Sequence, residues 1–211
     1  MDFLDHFKVV ARYYELEWRF RNIEGWLAGL EGYVLMLAAA CGPGKGEIVE
    51  IGSWMGKSTC WLAEGSKSTH REKVHAVDPF DGGPMLKDLP VIREHGTTYH
   101  MFVDNLTSVG LFDYVEPIVA TSQEAGESWN KPIRLLFIDG DHAYESIKTD
   151  FEIWSRFLVP EGIVAFDDVT GEYEGAKRYY DALLQGDLRY HEILQVGKMK
   201  MIQRSAEVCL S

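Results

Sequence analysis

Five short runs, "EIVEI", "KVHAVD", "YVEPIVA", "IRLLFID" and "GIVAFDD", are largely apolar and β-branched, and longer stretches of helical period separate them. No other feature limits the fold so sharply. A strand buried on one face alternates apolar and polar residues. A run that stays apolar is buried on both faces, as in a parallel sheet covered by helices above and below. Stretches such as "KSTCWLAEG" and "AYESIKTDFEIWSRFL" supply the crossovers that parallel strands require. The tail breaks this rhythm: "RYHEILQVGKMKMIQR" is two extended runs joined near Val196-Gly197, which predicts an antiparallel hairpin. Ahead of the first run, Phe3, Phe7, Val10, Tyr13, Tyr14 and Leu16 roughly follow helical spacing. "WLAGLEGYVLMLAAAC" does so again until Gly42-Pro43-Gly44 stops it. The expectation is one α/β domain over residues 1–211, doubly wound around a mostly parallel sheet. A helical N-terminal appendage occupies 1–44, an α/β core 45–204, and the hairpin comes last.

Charge narrows the partners. A net charge of −12 leaves no lysine and arginine excess to neutralise phosphates, so nucleic acid is not expected, and a small, moderately polar substrate is. The three cysteines, Cys41, Cys60 and Cys209, form no CxxC and fit a reducing compartment. The apolar run "YVLMLAAAC" is far short of the ~20 residues a bilayer demands, and Asp2, Asp5 and Glu15 interrupt the start. No membrane segment and a cytoplasmic location are the expectations.

In open α/β sheets ligands bind beyond the carboxyl ends of the strands, and the polar residues here gather at those ends. The first is "EIGSWMGKST". Gly52 and Gly56 permit tight turns, and Ser58 and Thr59 fall on the first turn of the helix that follows. Despite "GKST" this is not a P-loop, because Gly52 and Gly56 stand one residue too close, and G-x-G-x-x-G is absent as well. Glu50 would repel a pyrophosphate and better suits a cationic group such as an ammonium. The second run ends at Asp78, either an acceptor for ribose hydroxyls or a solvated acid opening a loop. "FIDGDH" and "FDD" place Asp139, Asp141, Asp167 and Asp168 at two further strand ends. Adjacent carboxylates are costly unless a cation or water neutralises them, and three oxygen ligands there suit a hard cation. The alternative for Asp167 and Asp168 is a helix cap beside an exposed acid.

Taken together, "VEIGSWMGKST…VHAVD…VATSQE…LLFIDGDHAY…IVAFDD" resembles the class I S-adenosylmethionine-dependent methyltransferases. Within them it is most similar to the small metal-dependent O-methyltransferases, the catechol type and its antibiotic-biosynthesis relatives. The likeness runs from about Ile23 to Arg204, and its most specific part is "FIDGDHAYES". It implies a Rossmann-like, seven-stranded sheet with the last strand antiparallel, S-adenosylmethionine as methyl donor and a small-molecule hydroxyl as acceptor. Glu50, Gly52, Ser53 and Ser58 match the loop that holds the methionine part. Asp78 matches the ribose-binding acid, and Ser122 and Gln123 the pair against the adenine. Asp139 matches an acid shared between the cofactor's amino group and a metal, usually Mg²⁺, completed by Asp167 and Asp168. The catechol type has asparagine where this chain has Asp168. His142 stands where the family tends to place its general base, and an imidazole titrating near neutrality suits that task.

Three rival readings of the chain are a metal-independent methyltransferase, a non-catalytic S-adenosylmethionine-binding module and a nicotinamide dehydrogenase. The retained Asp167-Asp168 speaks against the module, and the missing G-x-G-x-x-G against the dehydrogenase. Several positions carry no motif. Asp141 is either a supporting residue or a competing ligand, and Trp54 and Met55 wall either cofactor or acceptor. His75 reads as buried and hydrogen-bonded. His95, His100, Met85 and Tyr99 either touch substrate or cover the site. Trp61, Trp129 and Trp154 read as core, and Tyr144 as packing or adenosine wall. The aromatic N-terminus, with Tyr13, Tyr14, Trp18 and Phe20, suggests a homodimer surface in preference to a lid.

Overall fold

The computed structural model describes residues 3–206; Cys209 lies outside them. Two helices, α1 (Phe3–Phe20) and α2 (Gly29–Cys41), precede β1 (Glu47–Ile51) and α3 (Lys57–Thr69). β2 (Val74–Val77) leads into three short helices, α4 (Gly83–Leu86), α5 (Pro90–His95) and α6 (Tyr99–Ser108). Then come β3 (Val115–Ile118), α7 (Ser122–Ser128), β4 (Ile133–Ile138), α8 (Tyr144–Trp154), β5 (Leu158–Phe166) and α9 (Glu174–Gly186). The hairpin β6 (Tyr190–Val196) and β7 (Met199–Arg204) closes the order. All seven strands form one sheet, β3-β2-β1-β4-β5-β7-β6, parallel except for β7, which runs antiparallel to both neighbours. The doubly wound sheet and its terminal hairpin follow the sequence pattern.

The apolar runs are explained by two cores, one on each face. Ile48, Val74, Ala76, Leu135, Phe137 and Ile163 pack against α1, α2 and α3 through Leu16, Phe20, Leu35 and Trp61. Their neighbours Val49, Val77, Leu136, Ile138 and Val164 point the other way, onto Ile147, Phe151 and Trp154 of α8 and Tyr179 and Tyr180 of α9. Alternate residues thus fill opposite cores, so a polar side chain in a central strand needs a partner inside the fold. α2 packs tightly on α3: a Cβ at Gly32 would lie 2.4 Å from the Trp61 indole. The N-terminal helices are part of one side of the fold.

Among the described residues no helix is long and apolar enough to cross a membrane. Cys41 is exposed and Cys60 buried, both free. His75 is buried, with Nε2 2.8 Å from Glu47 Oε2. Trp61 and Trp154 are fully buried; Trp129, at the C-terminal end of α7, is only half-buried against Trp154 and His75.

What positions the site is the parallel edge. Backbone bonding continues one residue past each strand: the amide of Gly52 donates to Val77 (3.0 Å), Asp78 to Ile118 (3.1 Å), Asp139 to Ile51 (2.9 Å) and Asp167 to Ile138 (3.1 Å). Gly52, Asp78, Asp139 and Asp167 are therefore aligned along one rim by the backbone alone.

Candidate active site

A cavity of about 750 Å³ opens at this rim. Gly52, Ser53, Ser58, Asp78, Ser122, Gln123, Asp139, His142, Asp167 and Asp168 all line it. Of the residues singled out for the site, only Glu50 does not. Glu50 lies wholly buried behind the loop, where one carboxylate oxygen accepts from Ser53 Oγ (2.7 Å) and Thr59 Oγ1 (2.5 Å). Its other oxygen has no hydrogen-bond partner. Burial pushes its pKa up to about 7, although the hydroxyls of Ser58, Thr59 and Ser53 pull the other way. This acid ties the glycine loop to α3 from beneath.

Gly52 has a left-handed φ of 87°, and a Cβ on it would sit 2.2 Å from the Asp139 carbonyl oxygen. Only glycine lets the loop pass β4 so closely. Asp78 then anchors the loop from the next strand: its Oδ2 accepts the amides of Ser53 and Trp54, each at 2.8 Å, and its Oδ1 that of Phe80 at 2.6 Å. Three acceptor sites of about four are filled, which leaves one for a ligand hydroxyl. Burial raises the Asp78 carboxyl above its ordinary value despite these bonds. At the end of β3, Ser122 Oγ accepts from Trp154 Nε1 at 2.9 Å. Asp150 of α8 lies nearby on the cavity wall, pushed up to about 6 by burial while the Ser122 hydroxyl pulls it back.

The other half of the cavity is acidic. Burial and the facing Asp167 push the Asp139 carboxyl well above the usual carboxylate range. The buried Oδ1 of Asp167 has no hydrogen-bond partner. Asp168 adopts a left-handed φ of 56°, a conformation aspartate tolerates better than most residues, and its Oδ2 stands 3.2 Å from His142 Nε2. Burial holds the His142 imidazole below its ordinary value, against the pull of Asp168. Its ring lies 4.4 Å from that of Tyr173, tilted by 36°.

The metal expectation meets a specific obstacle. Lys198, from the β6–β7 turn, places Nζ 2.9 Å from Asp167 Oδ2 and 2.9 Å from Asp168 Oδ1. Burial opposes the ammonium, but its bonds to Asp167 and Asp168 outweigh this and raise its pKa above the ordinary lysine value. Among the described residues no group of three histidine, cysteine, aspartate or glutamate side chains could hold a metal ion. Asp141 also lines the cavity and bonds to the start of α8, accepting from Ser146 Oγ at 2.6 Å and from the Ala143 amide at 3.3 Å. The acids that would bind Mg²⁺ are arranged around a lysine, and as arranged they do not fit the metal.

The remaining residues divide cleanly. Trp54, at φ 48°, lines the cavity and packs against Trp26, ring centroids 5.9 Å apart. Met55 turns away and packs with Trp54 and Ile92 beside Leu86 and Met101. Met85 lines the cavity, while His95 and His100 are exposed and, like Tyr99, stand off it. Tyr144 packs on Tyr179. Trp26, Asp150, Tyr173 and Lys198 are wall residues that carried no motif in the sequence. Asp150 had a signal, since it falls on the same face of α8 as the buried Ile147 and Trp154. Lys198 had none.

Comparison with known proteins agrees with this architecture. A family model described as a methyltransferase domain matches residues 49–169. An uncharacterized protein of Acanthamoeba polyphaga mimivirus is 25% identical over 123 residues, 57% of this chain and 50% of that protein, so the chain spans about half the length of the curated relative it matches. Among solved structures, the O-methyltransferase from Bacillus cereus in complex with SAH aligns with a TM-score of 0.63 at 18% identity, covering 94% of this chain and 91% of that one. The O-methyltransferase TomG from Streptomyces achromogenes, involved in tomaymycin synthesis and solved with SAM, aligns with a TM-score of 0.62 at 16% identity, covering 93% and 89%. At these identities the likeness is one of fold.

Proposed function

The chain belongs to the methyltransferase-domain family, and from that premise we propose that it is an S-adenosylmethionine-dependent O-methyltransferase acting on a hydroxyl of a small molecule. One observation carries the reading: a single cavity brings the glycine loop, Asp78 and Ser122 into one wall with the His142–Asp168 pair. Binding and proton-transfer groups therefore share one space.

When bound, S-adenosylmethionine supplies an electrophilic methyl group on a sulfonium sulfur. The chain's own contributions follow from the geometry. The Cβ-free Gly52 leaves the loop low against β4, and Asp78 offers its remaining acceptor site to ribose hydroxyls. Ser122 and Gln123 border the neighbouring strand end, where the adenine is assigned. With its proton on the Nε2 that stands beside Asp168, His142 would take the acceptor's hydroxyl proton at Nδ1. The bound cofactor would give its methyl group to the acceptor oxygen and keep the C–S electron pair on sulfur, while His142 holds the released proton. Burial, which lowers the imidazole's pKa and so favours its neutral form, suits a base working near neutral pH. Trp26, Trp54 and Met85 give the mouth apolar walls for the acceptor. No step is assigned to Mg²⁺, because Lys198 occupies the oxygens it would need.

Calorimetry with S-adenosylhomocysteine and with NAD tests the reading directly. Micromolar binding of the former and none of the latter is expected; tight binding of NAD alone would overturn it. Homodimerisation through α1 and a cytoplasmic setting belong to the same proposal. Leu4, Val10, Tyr14 and Trp18 are exposed on that helix, Tyr14 by 66% and Trp18 by 68%. Sedimentation equilibrium should give a dimer that Trp18→Glu weakens, and a monomeric wild type at micromolar concentration rejects this part.

A further inference from the structure

We propose that Lys198 is a built-in counter-ion at the acid edge, standing where a divalent metal would stand, and that methyl transfer here proceeds without a metal. The inference rests on the methyltransferase reading for its chemical meaning, but its structural basis is separate.

The lysine is delivered by a rigid device. Its amide donates to Glu31 Oε1 at 2.8 Å, and its carbonyl accepts the amides of Val169 at 2.9 Å and Thr170 at 3.3 Å. Glu31 is itself buried at the start of α2, where its Oε2 accepts the Ala28 amide at 2.9 Å. Gly197 has a φ of 54°, and a Cβ on it would fall 2.2 Å from Glu31 Oε1, so the turn can seat on this carboxylate only with glycine there. The backbone of Lys198 is thus clamped between α2 and the loop that follows β5. Only the side chain remains to be placed, and its ammonium reaches both carboxylates of the Asp167-Asp168 pair.

An ammonium has three N–H donors. Two meet Asp167 and Asp168; the third is left for an oxygen in the cavity, which Lys198 lines. That is the service a metal gives an acceptor hydroxyl: a positive charge close to the oxygen as it loses its proton. A divalent ion at the same oxygens would lie within a few ångströms of the ammonium, and like charges at that distance in a partly buried site repel strongly. Either the lysine leaves or the metal does not bind, and its two contacts with Asp167 and Asp168 oppose its leaving.

The test uses the full chain and Mn²⁺ as probe, with bound ion measured by the loss of its free electron paramagnetic resonance signal. Wild type should show no site tighter than about millimolar. Lys198→Gln and Lys198→Met, with Asp167 and Asp168 released, should bind Mn²⁺ at least about tenfold more tightly. Circular dichroism identifies a variant that fails to fold. In that case wild type alone decides, because Mn²⁺ binding at micromolar concentration, or loss of turnover on adding EDTA, overturns the proposal. Variants that fold but gain no affinity overturn it too. Binding of S-adenosylhomocysteine is measured on the same samples. Its absence would reject the methyltransferase reading, whereas tight Mn²⁺ binding with the cofactor product still bound would reject only the lysine's role.

Discussion

The two halves of the cavity neutralise their charges by different means. On the β1–β3 side, Asp78 is met by three backbone amides, and Glu50 by hydroxyls of its own loop and helix. On the β4–β5 side, Asp167 and Asp168 are met by the side chains of Lys198 and His142, and Lys198 comes from the far end of the chain. The first half is held by groups near in sequence and fixed in position, which suits a surface that must fit one cofactor. The second depends on titratable side chains distant in sequence, which suits chemistry in which a proton moves.

If this division is right, removing a side chain from the acid half should damage turnover and spare affinity. His142→Ala should lower kcat by about 10²–10⁴-fold and leave affinity for S-adenosylhomocysteine nearly unchanged. Turnover by the variant equal to wild type at every pH would remove His142 as the base and blur the comparison.

Glu50 sharpens the other half. Its folded pKa of about 7 lies above its ordinary 4.5, so the folded state binds the proton more tightly than the unfolded state. The associated stability is fully present below pH 4.5 and is lost as pH rises towards 7. The loss is on the order of 3 kcal/mol. Glu50→Gln should abolish it: denaturation of wild type and variant at pH 5 and pH 8 should show the variant gaining on wild type at the higher pH. An unchanged difference between the two pH values would mean that Glu50 is ionised in the fold and held by a partner.

The same contrast separates what is legible in the amino-acid order from what is not. The sheet is legible because alternate residues of each strand face opposite cores, which forces apolar runs such as "IRLLFID". The rim is legible because parallel strands end in register, so Gly52, Asp78 and Asp139 have to be neighbours. The place of Glu50 is not legible, because a carboxylate at a strand end looks the same in sequence whether it faces the cavity or lies beneath the loop; here it is buried against the Ser53 and Thr59 hydroxyls. Lys198 cannot be read at all. Its meaning comes from Gly197, Glu31 and the β5 loop meeting in space, and nothing in "QVGKMK" records that meeting. Three acids on one rim read as a metal site until the cation supplied by the chain itself is seen.

Asp78 gives the smallest effect and the finest test, because two duties fall on one carboxylate. Asn at this position keeps the size but replaces one acceptor oxygen by a donor, so at least one of the amides of Ser53, Trp54 and Phe80 loses its partner. A buried N–H left unsatisfied costs about 1–3 kcal/mol. If Asp78 served only as the loop's anchor, Asp78→Asn would lower the melting temperature while saturating S-adenosylhomocysteine binding at nearly wild-type affinity. If its remaining acceptor site also meets the ribose, affinity should fall by about tenfold beyond what the lost stability explains, since a hydrogen bond to a charged group contributes about 1.5–3 kcal/mol. Calorimetry well below the melting temperature separates the two, because there the anchor's loss is hidden by the remaining fold and the ligand's loss is not.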